Sequence, residues 1–330
     1  MEEAVEGTFL NCGAELSKEG WESRETVARR ISRREVLAGA AALAIGAAPA
    51  HRRVRLGGPI FLKSEDPREL AREHRRLGYS AAYCPAGLKA GDGARIEATR
   101  KAFAGEDVTI AEAGAWVNML EADAEKRRAN MQYVLERLAL ADQVGARCCV
   151  NIGGSYNPKL WDGPEAKNLS QTYFDATVEN CRYLIDAVKP THTKFSIEMM
   201  GWSLPNDGDS YVKLIQAVDR AAFGAHVDVC NIIDSPERYY SNTSVINDVF
   251  RKLGASIVSC HAKDVGPHAT HLSETIPGRG GIDYKAYLTN MAALPVETPL
   301  MLEHLETAAE YDEGRGYIQR TAAECGVGLA

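Results

Sequence analysis

Short apolar runs alternate with longer amphipathic segments along most of the chain, from Val54 onward. Each apolar run has the length of a β-strand, and each amphipathic segment spaces its apolar residues as a helix does. Repeated strand and helix pairs are typical of a parallel sheet wrapped by helices. Eight such pairs follow one another here, which predicts one (β/α)8 TIM barrel over residues 51–330.

The bounds of the predicted elements follow from the same alternation. Asp66 and Pro67 supply an N-cap and a first-turn proline for the first helix, and Gly145 ends the third. An open, doubly wound sheet is the competing fold, but no G-x-G-x-x-G motif follows the first strand. The predicted strands cover residues 54–62, 79–84, 108–116, 147–154, 194–200, 225–233, 257–264 and 299–305, and the predicted helices cover residues 66–77, 94–103, 122–144, 170–188, 210–218, 245–253, 284–291 and 309–323.

The first 50 residues have a different character. The segment SRREVL at 32–37 leads into an uncharged, alanine-rich run that closes with Ala48-Pro49-Ala50. This order resembles a twin-arginine export signal, so we expect residues 1–50 to be a leader that is disordered or cleaved, and the barrel to be periplasmic or otherwise extracytoplasmic. The apolar run is shorter than the roughly 20 residues that span a bilayer, so no stable membrane span is predicted. An alanine-rich helix at the domain edge is the alternative.

Charge and cysteine content narrow the class of partner. The formal net charge is −7 and the pI is about 5.7. A protein that binds nucleic acid needs a basic face to neutralise phosphates, so we predict a small-molecule substrate and no nucleic-acid partner. The eight cysteines form neither C-x-x-C pairs nor a Cys/His zinc pattern, which predicts buried free thiols. The sequence is silent on oligomeric state and is compatible with a homo-oligomer.

Four potential metal ligands, Glu198, Asp228, His261 and Glu303, lie near the ends of the last four predicted strands. In a (β/α)8 barrel the carboxyl ends of all strands face one opening, so these side chains converge although they are distant in sequence. Three carboxylates and one imidazole make a hard site, mainly of oxygen, which suits Mn²⁺, Mg²⁺ or Co²⁺ and also accommodates Zn²⁺. The pattern predicts a divalent metal site, with Mn²⁺ as the leading candidate.

Each of these residues also has a plain structural explanation. A buried carboxylate can belong to a structural salt bridge, and a buried histidine can be a satisfied core residue. Unpaired charges are costly to bury. Four such residues at the ends of four consecutive strands therefore favour one metal site over four separate explanations.

Five segments carry a resemblance to a known family: SIEMM at Glu198, FGAHVDVCN around Asp228 and Asn231, SCHAKD at His261, PGRGGIDY at 277–284, and LEHL at Glu303. They resemble the xylose isomerase-like TIM barrels, the sugar phosphate isomerase/epimerase family. The resemblance implies that the four residues are the metal ligands. It also implies that Glu198 and Glu303 flank the substrate as proton acceptor and donor. Many relatives have Asp-Pro-x-Asn where this chain has DVCN at 228–231, so both functional positions are retained.

The resemblance implies proton abstraction next to a carbonyl. A cation that holds a carbonyl and its neighbouring hydroxyl acidifies the adjacent hydrogen, and an enediolate forms when a glutamate removes it. Return of the proton from the opposite face gives epimerisation, and its return to the neighbouring carbon gives isomerisation. Loss of a β-substituent instead gives a lyase or dehydratase. The residues leave these outcomes open.

The predicted substrate is a free sugar, a keto-sugar or a glycoside, because an exported enzyme does not meet cytoplasmic sugar phosphates. A lyase on a keto-glycoside or inosose-like substrate is the second hypothesis, and a non-catalytic sugar-binding barrel is the third. An enzyme like endonuclease IV would need more histidine ligands and a basic groove. The residues predicted to contact the substrate lie just beyond strand ends or in the glycine-rich loop: Arg279, Asn231, Lys263, Trp161, Trp202 and Asn151.

Overall fold

Each of the eight apolar runs that were predicted to be strands contains a strand in the structure. The structure is a computed structural model that describes residues 53–330, so the predicted leader and its arginine pair lie outside the described residues. The strands in chain order are β1 (Arg53–Gly57), β2 (Ala81–Tyr83), β3 (Thr109–Gly114), β4 (Cys148–Asn151), β5 (Lys194–Glu198), β6 (Phe223–Asp228), β7 (Ile257–Ala262), β8 (Asp264–His268), β9 (His271–Thr275), β10 (Pro299–Leu302) and β11 (Gly328–Leu329).

Eight of these strands close into a parallel barrel. Strands β1 to β7 pair in chain order, β10 pairs with β7, and β10 also pairs with β1. The short strand β11 adds to the outer edge of β1 through the pairing of Arg53 with Gly328. The predicted (β/α)8 barrel is confirmed, and the open doubly wound sheet is wrong.

Each barrel strand is followed by at least one helix, except that a hairpin intervenes after β7. Side-chain caps fix several helix ends: Asp66 accepts a hydrogen bond from Arg68 N, and Gly145 ends the longest helix with a φ of 74°. The helices are α1 (Pro67–Arg76), α2 (Gly93–Gly105), α3 (Ala124–Val144), α4 (Gln171–Val188), α5 (Gly208–Val218), α6 (Val229–Ile232), α7 (Pro236–Tyr240), α8 (Asn242–Leu253), α9 (Tyr284–Met291) and α10 (Ala308–Glu324), with 3-10 turns at Ala166–Leu169 and Gly254–Ser256.

All eight barrel strands end before the apolar runs predicted for them, and in two cases a new element begins inside the run. The sixth was predicted to reach Ile233, but β6 ends at Asp228, whose carboxylate accepts hydrogen bonds from Cys230 N and Asn231 N and so starts α6. The seventh was predicted to reach Asp264, but β7 ends at Ala262. The chain then forms the antiparallel hairpin of β8 and β9.

A bulge in β3 turns one side chain into the barrel. Ala111 is an extra residue between Ile110 and Glu112 in the pairing with β2. Ile110 packs in the core between the strands and the helices, whereas Glu112 contacts side chains inside the barrel. Simple alternation would have placed both residues on one face.

A second bulge does the same in β7. Val258 is an extra residue between Ile257 and Ser259 in the pairing with β6. Ile257 belongs to the outer core, while Ser259 and His261 face the interior. The two bulges therefore deliver polar side chains to the same level of the barrel.

Two further predictions from the sequence were that the chain has no stable membrane span and that its cysteines are buried free thiols. Within residues 53–330, no helix is both long and apolar enough to cross a membrane. The seven cysteines of this range are free, and five of them are buried, as small apolar residues would be.

Candidate metal centre

The four predicted ligands lie together at the carboxyl ends of their strands. Glu198 ends β5, Asp228 ends β6, His261 lies on β7, and Glu303 directly follows β10. Each offers one ligand atom within 4.8 Å of the others. The curvature of the closed barrel thus converts four distant sequence positions into one cluster.

The donor set fits a divalent cation. His261 Nδ1 lies 2.8 Å from Glu198 Oε1, 2.9 Å from Glu303 Oε1 and 3.7 Å from Asp228 Oδ2. Asp228 Oδ2 and Glu303 Oε1 are buried, and their neighbours are the charged or chargeable groups of His261 and Lys263. Buried carboxylate oxygens beside an imidazole nitrogen are the donors that a hard cation prefers.

Lys263 neutralises part of the negative charge of the cluster. Its Nζ lies 2.7 Å from Asp228 Oδ2 and 2.8 Å from Glu303 Oε1, and the side chain is almost fully buried. Burial acts to lower the pKa of Lys263, but the carboxylates of Asp228 and Glu303 outweigh it and hold that pKa well above its usual range. Three carboxylates still face a single ammonium, so the cluster attracts further positive charge.

The two glutamates differ in their environments. Burial raises the pKa of Glu198 above its ordinary value. Burial acts in the same direction on Glu303, but His261 and Lys263 outweigh it and lower its pKa to about 2. Two carboxyl groups with pKa values displaced in opposite directions are typical of sites that move protons.

A second polar layer lies beneath the cluster, and it was not predicted from the sequence. Glu112 Oε1 lies 2.9 Å from His226 Nε2, and Glu112 Oε2 lies 3.1 Å from His261 Nε2. Ser259 Oγ also donates to Glu112 Oε1. Burial acts to raise the pKa of Glu112, but His261 and His226 outweigh it and lower that pKa. His261 therefore joins the two layers, with Nδ1 toward the ligands and Nε2 toward Glu112. In the sequence, the signal for this second layer was Glu112, an acidic residue inside the apolar run VTIAEAGAW.

A cavity of about 820 Å³ opens above the cluster. Its wall includes Glu112, Glu198, Lys263 and Glu303, so two of the four candidate ligands, Glu198 and Glu303, lie in its floor. Its other side is largely aromatic, and most of these residues were not predicted to line it. Trp116 lies at the end of a predicted strand, which is the same signal that selected Trp161. The residues on that side include Tyr83, Trp116, Tyr133, Arg137 and Trp161.

Three of the residues predicted to contact the substrate line this cavity: Asn231, Lys263 and Trp161. Asn231 Nδ2 lies 3.2 Å from Glu198 Oε1 and 3.1 Å from the carbonyl oxygen of Met199. It therefore holds Glu198 in place from α6. Their contact with a substrate stays a prediction.

The other three predicted contacts lie elsewhere. Arg279 forms a two-point ion pair at the surface with Glu313, with distances of 2.7 Å from both Nε and the second guanidinium nitrogen. Asn151 is fully buried, and its amide side chain bonds both the backbone N–H and the carbonyl of Val117. Trp202 is 63% exposed and is not part of the cavity wall. In this arrangement Arg279 anchors its loop, and Asn151 ties the end of β4 to the loop after β3.

The fold and the ligand cluster define a (β/α)8 barrel with a candidate divalent metal centre at its carboxyl end. The model of the xylose isomerase-like TIM barrel family matches residues 71–321. The chain belongs to this family.

Solved structures share the fold at low sequence identity. Endonuclease IV of Thermus thermophilus superposes with a TM-score of 0.62 at 15% identity, over 82% of this chain and 99% of that one. The 3-keto-D-glucoside 4-epimerase of E. coli gives 0.60 at 14%, over 81% and 100%. The probable 3-DHS dehydratase of Bacillus anthracis gives 0.57 at 13%, over 81% and 97%. A search of the curated proteins finds no match. At these identities the likeness shows the fold alone, and the three proteins are named for three different activities.

Proposed function

We propose that this protein is a divalent-metal-dependent isomerase or epimerase that acts on a non-phosphorylated sugar or keto-sugar. One observation carries the proposal. Two carboxylates, Glu198 and Glu303, line one cavity and lie 2.8 and 2.9 Å from the same nitrogen, His261 Nδ1. A pair of carboxyl groups beside a cation site has the composition that proton transfer next to a carbonyl requires.

The residues that would hold the cation are Glu198, Asp228, His261 and Glu303, and Mn²⁺, Mg²⁺, Co²⁺ and Zn²⁺ are the candidates. When bound, a divalent cation polarises a sugar carbonyl and its neighbouring hydroxyl, which makes the hydrogen on the adjacent carbon more acidic.

The two glutamates approach the substrate from different sides of the cluster. In the sheet, β5 and β10 lie on either side of β7, so Glu198 and Glu303 flank His261. One carboxylate takes the proton from carbon and the other returns a proton to the enediolate. Asn231 positions Glu198 by its hydrogen bond, and Lys263 positions Glu303 and Asp228 by its ion pairs.

The partners of the basic residues in the cavity wall favour a substrate without a phosphate group. The three basic side chains there are Arg137, Lys263 and His304. Lys263 is paired with carboxylates of the cluster, Arg137 donates to the carbonyl of Gly114, and His304 lies 3.0 Å from Glu274. Each of the three therefore already has a partner within the protein, whereas a phosphate cradle directs free donors at the anion. The predicted export signal supports the same substrate class.

The second candidate is a lyase or dehydratase on a keto-glycoside or inosose-like substrate. The same carboxylates would remove the proton, and a β-substituent would then leave in place of reprotonation. The large cavity favours this candidate, because about 820 Å³ leaves room for a substituent beside the sugar ring.

Deuterium exchange tests the proposal. A panel of keto-sugars is incubated in D₂O with protein loaded with each candidate metal, and the recovered sugars are studied by mass spectrometry and proton NMR. We expect incorporation of one deuteron into an intact skeleton, loss of activity with EDTA, and its return with metal. Release of water or an aglycone would identify the lyase instead.

Substitution of the two glutamates is the matched test. Glu198→Gln and Glu303→Gln should each slow exchange about 10²–10⁴-fold, the usual contribution of a positioned acid or base. Glu125→Gln, on the exposed surface of α3, is the control and should leave the rate unchanged. Sugar binding that survives both active-site changes, with no exchange by the unmodified protein, would establish a non-catalytic sugar-binding barrel.

A further inference from the structure

The cavity above the candidate metal centre has two chemically different sides. Glu198, Lys263 and Glu303 come from the ends of β5, β7 and β10 and form the floor. The opposite side is formed by Trp116 after β3, Tyr133 on α3 and Trp161 after β4. The segment from β5 to β10 thus supplies the candidate metal ligands, and the half with β3 and β4 supplies three large aromatic rings, together with Glu112, Arg137 and Asp162.

These three rings are exposed although they lie in a concave site. Trp116 and Trp161 are each 40% exposed, and Tyr133 is 41% exposed. Exposed apolar surface on the wall of a cavity marks a ligand site, because a ligand that covers it gains the free energy of burial. Tryptophan and tyrosine also stack with planar groups at defined geometry.

The aromatic side begins directly beside the cluster. The ring centroid of Trp116 lies 6.4 Å from that of His261. A ligand seated on the floor would therefore reach Trp116 with its nearest substituent. The cavity of about 820 Å³ also lies high in the range of about 300–1,000 Å³ that holds drug-sized ligands, and a single sugar ring is much smaller than these.

We propose that Trp116, Tyr133 and Trp161 form a subsite for an aromatic group attached to the sugar, so that the substrate is an aryl glycoside in its keto form. We call these three residues the aryl subsite. The placing of the sugar ring on the floor rests on the proposed function above. Arg137 also lines this side, which suits an aromatic group that carries an oxygen substituent.

Ligand-observed NMR on the Mg²⁺-loaded protein tests the subsite without turnover, because unoxidised glycosides have no carbonyl. The probes are phenyl and methyl glycosides of glucose, galactose, mannose and xylose. For at least one sugar we expect the phenyl glycoside to bind about tenfold or more tightly than its methyl counterpart, which is about 1.4 kcal/mol. We also expect saturation transfer to the phenyl protons.

Variants of the two tryptophans test whether the preference comes from the aryl subsite. Trp161→Ala and Trp116→Ala should each remove most of the phenyl preference and leave binding of the methyl glycoside unchanged, and Trp161→Phe should retain most of it. Trp202→Ala is the matched control, because Trp202 is exposed and lies outside the cavity wall. The side chains are part-exposed, so thermal unfolding curves of the variants should overlay that of the unmodified protein.

The proposal is overturned if no phenyl glycoside binds better than its methyl counterpart, or if the preference survives both alanine changes. A disaccharide that binds as tightly as the phenyl glycoside would overturn it as well, because the subsite would then take a second sugar. Deuterium exchange without a phenyl preference would leave the proposed function standing and remove the subsite. A phenyl preference without exchange would leave the aryl subsite standing and remove the proposed function.

Discussion

The two ring nitrogens of His261 face different partners. Nδ1 lies among the carboxylates of the candidate ligands, and Nε2 lies 3.1 Å from Glu112 Oε2. An ionised carboxylate only accepts hydrogen bonds, so Glu112 requires the proton of His261 on Nε2. The lone pair of Nδ1 is then directed at the cation site. A carboxylate on the far side of a ligating histidine is a common way to fix its tautomer and ring orientation.

Glu112 should therefore affect metal affinity although it is not itself a proposed ligand. Glu112→Gln keeps the shape but presents a weaker acceptor and adds a donor. We expect it to weaken Mn²⁺ binding about 10–100-fold, the range found when such a partner is removed. Titration calorimetry on the metal-free protein measures the dissociation constant.

Two controls accompany the Glu112 variant. Glu125→Gln, at an exposed position, should bind Mn²⁺ like the unmodified protein. Near-ultraviolet circular dichroism should show that the Glu112 variant keeps its tertiary packing. An affinity within twofold of the unmodified protein would mean that His261 is oriented without Glu112.

At the scale of elements, the glycine-rich segment after the β8–β9 hairpin is organised by one carboxylate. Asp264 accepts hydrogen bonds from the backbone N–H groups of Val265, Gly278, Gly280 and Ile282. A Cβ at Gly280 would overlap both Asp264 Oδ1 and the carbonyl oxygen of Val265, so the backbone approach requires glycine. The PGRGGIDY motif is thus explained by a loop wrapped around Asp264.

Removal of that carboxylate should loosen the loop and destabilise the barrel. Asp264→Ala leaves several backbone donors without a partner, and hydrogen bonds to a charged group contribute about 1.5–3 kcal/mol each. We expect the midpoint of thermal unfolding to fall by about 5–10 °C. Hydrogen exchange at Gly278, Gly280 and Ile282 should accelerate more than exchange in the barrel strands.

Asp248→Ala is the control for Asp264. Asp248 forms ion pairs with Arg251 and Lys252 on the surface of α8, and such pairs contribute little. Equal shifts of the unfolding midpoint in the two variants would show that Asp264 does not organise the loop.

The positions of residues along their strands explain which parts of the site could be predicted from the sequence. Glu198, Asp228 and Glu303 follow apolar runs at strand ends, where parallel strands must converge. Glu112 lies in mid-strand, and alternation assigns it to the face of Ile110. The bulge at Ala111 reverses that assignment, and no residue in the sequence signals it.

The short helix α6 could not be predicted from the sequence pattern either. Six of the nine residues of the run AHVDVCNII are apolar, and the run has the composition of a strand. Asp228 ends the strand because its carboxylate caps the backbone N–H groups of Cys230 and Asn231. That turn brings Asn231 back toward Glu198, so a local capping interaction builds part of the site.

At the scale of the whole molecule, the fold alone allows very different substrates. The barrel superposes on endonuclease IV as well as on an epimerase and a dehydratase. Function therefore depends on the site and on the charge of the chain. The chain carries 45 acidic against 38 basic residues, for a formal net charge of −7.

This charge leads to a prediction that separates the protein from the nuclease with the same fold. Affinity for duplex DNA comes largely from basic side chains that release counterions from phosphates. We expect no binding of a duplex with an abasic site at physiological salt in fluorescence polarisation, even at about 10⁻⁴ M, the weak limit of typical non-specific affinities. We also expect no strand incision with Mn²⁺ or Zn²⁺. Endonuclease IV of Thermus thermophilus is the positive control. Micromolar binding that weakens steeply as salt rises would contradict the prediction, because it would reveal a basic face that the overall charge conceals.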